Sequence, residues 1–141
     1  MRYSLDASVA LCWVVPRAHS GKALRLRVDY QRAVHNLIAP SHFPAEVASA
    51  LTKSERQGLT PAGQALPLLD DVLNDLPVLY SYEPLLRRAT EISSRTRSGL
   101  YDCLYVALAE RESCELITAD DKLVRNLQPY FPFVTPLSAL P

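Results

Sequence analysis

The sequence predicts an α/β fold with a parallel sheet covered by helices, and two observations lead to this prediction. Short apolar segments alternate along the chain with longer segments whose apolar residues recur at helical spacing. No linker, repeat or shift in composition divides the 141 residues. Because strands that alternate with helices pair in parallel, we expect one domain over residues 1–141 with helices on both faces of the sheet.

Five short segments are the predicted strands. Each is apolar and is bounded by polar or turn-forming residues, which is the pattern of strands buried in a parallel sheet. The predicted strands are Tyr3–Leu5, Leu37–Ala39, Val78–Tyr80, Leu116–Thr118 and Phe133–Val134.

The first three predicted helices have recognisable ends. Ser8–Val15 is apolar and stops at Pro16, which cannot continue a helix. Lys22–Val34 alternates apolar and charged residues and is typical of a surface helix. A third helix runs from Pro44 to Gln57, with proline at its start and Gly58 just after its end.

Four more helices are predicted in the second half of the chain. Thr60 and Pro61 are typical of a helix start, so a helix is expected from there toward Asp75. Pro67 lies inside that segment and predicts a kink or a break. The remaining predicted helices are Leu85–Arg97, Leu100–Glu112 and Asp121–Leu127.

The composition excludes several classes of protein. Fifteen basic and fifteen acidic residues balance, which argues against a polybasic tail and indiscriminate duplex binding. No segment has the apolar length of a membrane helix, and no secretory signal is present, so no membrane partner is expected. The three cysteines form no CxxC pair, which disfavours zinc and disulfides and predicts a cytoplasmic protein.

Four acidic residues are expected at one edge of the sheet, where parallel strands end and ligands bind. Asp6 and Asp120 follow predicted strands, Glu46 lies in the first turn of a helix, and Asp102 lies in the apolar segment Tyr101–Ala109. Each acid taken alone has a structural explanation as a helix cap or a partner of the helix dipole. Together they would repel one another unless a cation neutralised them, and carboxylate oxygens suit Mg²⁺ or Mn²⁺.

The segments that carry these acids resemble the four acidic motifs of the PIN domain. They are Leu5-Asp6-Ala7-Ser8, Pro40 followed by Glu46, Tyr101-Asp102 at the head of an apolar helix, and Leu116-Ile117-Thr118-Ala119-Asp120. The size and spacing resemble the VapC-type toxins of toxin–antitoxin pairs. The resemblance implies a sheet of strand order 3-2-1-4-5 and an Mg²⁺- or Mn²⁺-dependent ribonuclease whose products carry a 5′-phosphate and a 3′-hydroxyl. It also implies a homodimer inhibited by a small antitoxin protein.

The same resemblance assigns roles to the residues of the site. Asp6, Glu46, Asp102 and Asp120 are the implied catalytic residues and metal ligands. Ser8 and Thr118 match positions that help to hold metal or phosphate, although both could equally cap backbone groups. Asp121 is an alternative ligand to Asp120, and the Thr-x-Asp pattern favours Asp120.

Several other polar or aromatic residues have two readings. Arg95 and Arg97 precede Asp102 and either contact RNA phosphates or belong to a solvated helix face. Trp13, Tyr101 and Tyr105 are predicted to pack in the core or a dimer interface rather than to stack on bases. The three histidines are predicted to be ordinary surface residues: His19, His35 and His42.

Four functions other than that of a ribonuclease toxin share part of this sequence pattern. A catalytically silent scaffold domain and a PIN nuclease of RNA processing remain alternatives. A response-regulator receiver needs an aspartate after the third strand, where this chain has Leu79-Tyr80-Ser81. A haloacid-dehalogenase site needs Asp-x-Asp, whereas Asp6 is followed by Ala7 and Ser8. Both of these fit poorly.

Overall fold

The central sheet has five parallel strands in the order β3-β2-β1-β4-β5. The computed structural model describes all residues from Met1 to Pro141. Both the predicted fold class and the strand order 3-2-1-4-5 are confirmed. The strands are β1 Arg2–Leu5, β2 Asn36–Pro40, β3 Val78–Tyr80, β4 Glu115–Thr118 and β5 Val134–Pro136.

Seven helices surround this sheet. Successive residues of β1 and β4 are buried, which shows that helices cover both faces of the sheet. None of the helices combines the length and the apolar character that crossing a bilayer requires. The helices are α1 Ala7–Val14, α2 Ser20–Gln31, α3 Phe43–Arg56, α4 Ala65–Leu73, α5 Leu86–Thr96, α6 Leu100–Glu112 and α7 Asp121–Leu127.

Backbone geometry explains where α2 and α3 end. Gly58 follows α3 with a φ of 74°, the left-handed conformation that glycine adopts without strain, so the predicted stop is confirmed. Helix α2 ends at Gln31, three residues before the predicted end at Val34. Ala33 has a φ of 58°, and the Val34 N–H donates to the Asp29 carbonyl at 2.8 Å, which closes the last turn early.

The prediction for the start of α4 was wrong. Thr60 caps no helix, because its hydroxyl is buried and lies 2.7 Å from the Ser54 hydroxyl. The helix begins at Ala65, whose N–H donates to the Glu55 carboxylate at 2.6 Å. Pro67 therefore lies in the first turn, where an N–H has no partner within the helix, and the expected kink does not form.

Candidate active site

The four predicted acids meet at the carboxyl edge of the sheet. Asp6 directly follows β1, and Asp120 lies between β4 and α7. Glu46 lies in the first turn of α3, which follows β2, and Asp102 lies in the first turn of α6. Because β2, β1 and β4 are adjacent and parallel, their ends bring these acids within electrostatic range of one another.

Asp6 is the buried centre of this group. Asp6 is only 4% exposed, although the side chain of a free aspartate is charged at neutral pH. The pKa of Asp6 is raised to about 7, chiefly by burial. Hydrogen bonds from Ser8 and Thr118 oppose this rise, and the charges of Asp102 and Asp120 add to it. Near pH 7 and without a cation, a substantial fraction of the molecules therefore carries a protonated Asp6, which is the expected response of a buried carboxylate.

Asp102 is half-buried, as its position in the apolar helix α6 predicted. The pKa of Asp102 is raised to about 6, chiefly by burial and in addition by the charges of Asp120 and Glu46. Lys122 and His42 lower it, which places both of these basic side chains near the carboxylates. Neither Lys122 nor His42 was identified from the sequence as part of the site.

Ser8 and Thr118 hold the Asp6 carboxylate in place. The Ser8 hydroxyl donates to Asp6 Oδ1 at 2.5 Å, and the Thr118 hydroxyl donates to Asp6 Oδ2 at 2.8 Å. Each hydroxyl also accepts a backbone N–H from the turn after β4, from Ala119 at 2.9 Å and from Asp120 at 3.0 Å respectively. The two hydroxyls thus tie the ends of β1 and β4 together through Asp6.

Asp120 has a structural role as well as a place in the acidic group. Its Oδ1 atom caps α7 by accepting the N–H groups of Lys122 at 3.0 Å and Leu123 at 3.3 Å. Its Oδ2 atom accepts no hydrogen bond from the protein and remains free for a ligand. Asp121 is exposed, and Asp120 rather than Asp121 is among the main charges that raise the pKa of Asp6 and Asp102, so the geometry favours Asp120.

The four acids offer the oxygen ligands that a hard divalent cation prefers, but their side chains do not surround a common point. No group of three or more His, Cys, Asp or Glu side chains in the structure is placed to hold a metal ion. The oxygen donors are nevertheless suitable, and Glu46 Oε1 is buried without a hydrogen-bond partner. Crowded carboxylates with raised pKa values are also what a bound cation would neutralise.

The prediction that all three histidines are ordinary surface residues is wrong for His42. Its side chain is only 9% exposed, and its Nε2 atom lies 2.9 Å from Glu46 Oε1, one helical turn further along. The two atoms are close enough for an ion pair, but their angle falls outside hydrogen-bond geometry. The spacing of His42 and Glu46 across the start of α3 was the only signal in the sequence. By contrast, His19 is exposed, and His35 is half-buried beside Asp29, away from the site.

Tyr105 is the second residue of the site that the sequence did not identify. It is 1% exposed, and its hydroxyl has no hydrogen-bond partner. Burial raises the pKa of Tyr105 far above its ordinary value, and the charges of Glu46 and Asp6 act in the same direction. The predicted core packing of Tyr105 is confirmed, and its hydroxyl is close to two of the four acids.

The structure does not connect Arg95 or Arg97 with the carboxylates. Arg95 is exposed and lines a surface cavity of about 440 Å³ that none of the four acids lines. Arg97 is exposed and ends α5 in the left-handed conformation, with a φ of 60°. Neither arginine forms an ion pair with an acid, so RNA contact at these two residues stays a prediction.

Comparison with known proteins agrees with this geometry. The family model described as PIN domain matches residues 3–126. Ribonuclease VapC3 of Pyrobaculum aerophilum is 32% identical over 139 residues, which cover 96% of this chain and 100% of the relative. Ribonuclease VapC3 of Mycobacterium tuberculosis is 34% identical over 122 residues, or 86% of this chain and 84% of the relative.

Solved structures share the fold. The crystal structure of PAE2754 from Pyrobaculum aerophilum has a TM-score of 0.70 at 24% identity and covers 98% of this chain and 93% of its own. VapBC2 from Rickettsia felis, solved bound to a DNA fragment from its promoter, has a TM-score of 0.64 at 17% identity and covers 96% and 97%. The five-stranded parallel sheet, the four acids at its carboxyl edge and the match of the family model together lead to one conclusion: this chain belongs to the PIN domain family.

Proposed function

We propose that this protein is an Mg²⁺- or Mn²⁺-dependent endoribonuclease and the toxin of a cytoplasmic toxin–antitoxin pair. Ribonuclease activity is supported by membership of the PIN domain family and by relatives named Ribonuclease VapC3. One observation carries the proposal to this chain. Four acids from four separate segments, Asp6, Glu46, Asp102 and Asp120, meet at the one edge of the sheet where ligands bind.

These four side chains supply oxygen ligands and a possible proton acceptor. A bound divalent cation would polarise the scissile phosphate and favour attack by water. Ser8 and Thr118 keep both oxygens of Asp6 in a fixed orientation, which costs no rearrangement when substrate binds. Asp120 presents its free Oδ2 atom, since its Oδ1 atom caps α7. We assign proton transfer from the attacking water to one of the four carboxylates, because no histidine pair is available for that step.

RNA cleavage is expected to require a divalent cation. The purified protein should cut single-stranded or looped RNA in Mg²⁺ or Mn²⁺ and should be inactive in excess EDTA, because the bare carboxylates repel phosphate. Gel analysis of a labelled RNA would measure this, with cleavage restored by adding Mg²⁺ back. Full activity in EDTA would exclude the metal mechanism, and inactivity under both conditions would favour a silent scaffold domain.

The antitoxin is expected to bind the acidic edge of the sheet. A dense group of carboxylates attracts an arginine or lysine, so we expect a small protein that inserts such a side chain there. The VapBC2 structure from Rickettsia felis supports a two-protein system by its fold relationship. We also propose that the toxin forms a homodimer, as the resemblance implies.

Co-expression with the adjacent small gene tests the toxin assignment. We expect the two products to co-purify and the partner to relieve growth arrest caused by this protein alone. Size-exclusion chromatography with light scattering would report the dimer in the same preparation. If the products separate and neither affects growth, the toxin assignment is wrong, and a nuclease of RNA processing becomes the better description.

A further inference from the structure

An exposed tyrosine lies directly beside the acidic site. Tyr101 is 60% exposed, and it immediately precedes Asp102 at the start of α6. One face of its ring stacks on His42, with the ring centroids 5.6 Å apart and the planes 27° apart. The sequence predicted that Tyr101 packs in the core or in a dimer interface, and this exposure rules out the core.

The His42 ring, on which Tyr101 stacks, is held by contacts on two sides. The His42 ring packs against buried Tyr105 with centroids 4.6 Å apart, and His42 Nε2 lies 2.9 Å from Glu46 Oε1. His42 is thus fixed between a core residue and one of the four acids. Since Tyr101 rests on this fixed ring, its exposed surface has a defined position next to the carboxylates.

We propose that Tyr101, backed by His42, is a stacking platform that binds one unpaired RNA base beside the scissile phosphate. The inference rests on the proposed function and assigns the contact by which the enzyme would select an unpaired base. Aromatic rings bind single-stranded nucleic acid by stacking on bases, and every base offers a face for this contact. A base inside a duplex has both faces covered by its neighbours, so the platform selects unpaired RNA.

The surroundings favour a base over a protein segment as the occupant. The cationic side chain of a protein partner would pair with Asp102, Glu46 or Asp120 rather than with a neutral ring. The tyrosine ring is an uncharged surface. It lies next to the acids, and a divalent cation bound by those acids would contact the phosphate. Base and phosphate of one RNA strand can therefore be bound side by side.

Variants of Tyr101 test the platform in the full-length protein. Tyr101→Leu removes the aromatic face but keeps an apolar side chain at an exposed position, so folding should be preserved. Stacking energies predict that it raises KM for a loop-containing RNA by between about 5- and 150-fold. Tyr101→Phe should keep the wild-type KM, and neither change should alter the slow cleavage of a fully paired RNA.

A direct readout of stacking uses a short single-stranded oligodeoxynucleotide that contains 2-aminopurine, whose fluorescence falls when the base stacks. Wild type and Tyr101→Phe should quench it, and Tyr101→Leu should not. The matched control is Tyr130→Leu, which removes an exposed tyrosine beyond the far end of α7, away from the carboxyl edge. This control should leave KM and quenching unchanged.

Three other results would contradict either the stacking platform or the proposed ribonuclease function. If the wild type cleaves RNA but Tyr101→Leu matches it in KM and quenching, the platform is wrong and the ribonuclease stands. If Tyr101→Leu loses only its binding to the antitoxin, the ring belongs to a protein interface and the platform is again wrong. If the wild type quenches the probe and cleaves nothing, the proposed function fails while the platform survives.

Discussion

Replacing Asp102 with asparagine is expected to slow RNA cleavage by on the order of 100-fold or more while leaving the protein folded. The amide has nearly the same shape as the carboxylate but cannot supply a negative oxygen to a cation. Asp102 is half-buried in the first turn of α6, and no hydrogen bond from its side chain holds the fold together. Initial rates in Mg²⁺, with circular dichroism to check folding, would measure the effect.

The matched control for this change is Asp70→Asn. Asp70 is an exposed acid on α4, so the substitution changes the net charge by the same amount away from the site. We expect its cleavage rate to equal that of the wild type. Unchanged turnover in Asp102→Asn itself would mean that this acid only favours the dipole of α6.

The second large effect concerns stability in the absence of metal. At pH 7.5 in EDTA, Asp6→Asn should be more stable than the wild type by roughly 1–2 kcal/mol, because it removes a charge that is buried and lies near other carboxylates. Mg²⁺ at a hundredfold excess over its Kd should stabilise the wild type by about 2.7 kcal/mol and the variant much less. The order of the two proteins should therefore reverse between the buffers, as thermal melts would show.

The pH dependence of this difference has a definite sign. The pKa of Asp6 is raised to about 7 in the folded protein, whereas an unfolded aspartate has a pKa of about 3.9. The folded state then binds the proton more tightly, so the contribution of Asp6 to stability is greatest below pH 4 and is lost as the pH rises from about 4 through 7. The advantage of Asp6→Asn should grow over the same interval and nearly vanish near pH 4.

A different outcome would show that the acids are unrelated caps. Loss of a cap costs about 1 kcal/mol whether or not metal is present. If Asp6→Asn and Asp102→Asn are both less stable than the wild type by the same amount in EDTA and in Mg²⁺, the shared metal site is excluded.

Local signals in the sequence were sufficient to predict the strands of the sheet and the positions of the four acids relative to them. The strands are short apolar segments, and Asp6, Glu46, Asp102 and Asp120 follow strands or begin helices, so their placement needs only the general geometry of a parallel sheet. The order of the strands came from the resemblance to the PIN domain, because pairing between distant segments leaves no mark on local periodicity.

The errors arose where tertiary contacts decide the outcome. The start of α4 depends on the Glu55 carboxylate, which receives the Ala65 N–H, and on Ser54, which pairs with the Thr60 hydroxyl. His42 was misplaced for a similar reason, because its burial comes from Tyr105 on a helix distant in the sequence. Such contacts become visible only when the elements are packed together.

The pairing of β1 with β4 has a consequence for how the protein is made. The hydrogen bond that joins Thr118 to Asp6 spans 112 residues, so the first acid and its partner are almost at opposite ends of the chain. During synthesis, which adds roughly 5–20 residues per second, the N-terminal part emerges from the ribosome first. The acids can assemble only after β4 has also emerged. A nascent chain from which β4 has not yet emerged therefore lacks a complete acidic site, because Asp6 has neither its Thr118 partner nor its neighbour Asp120.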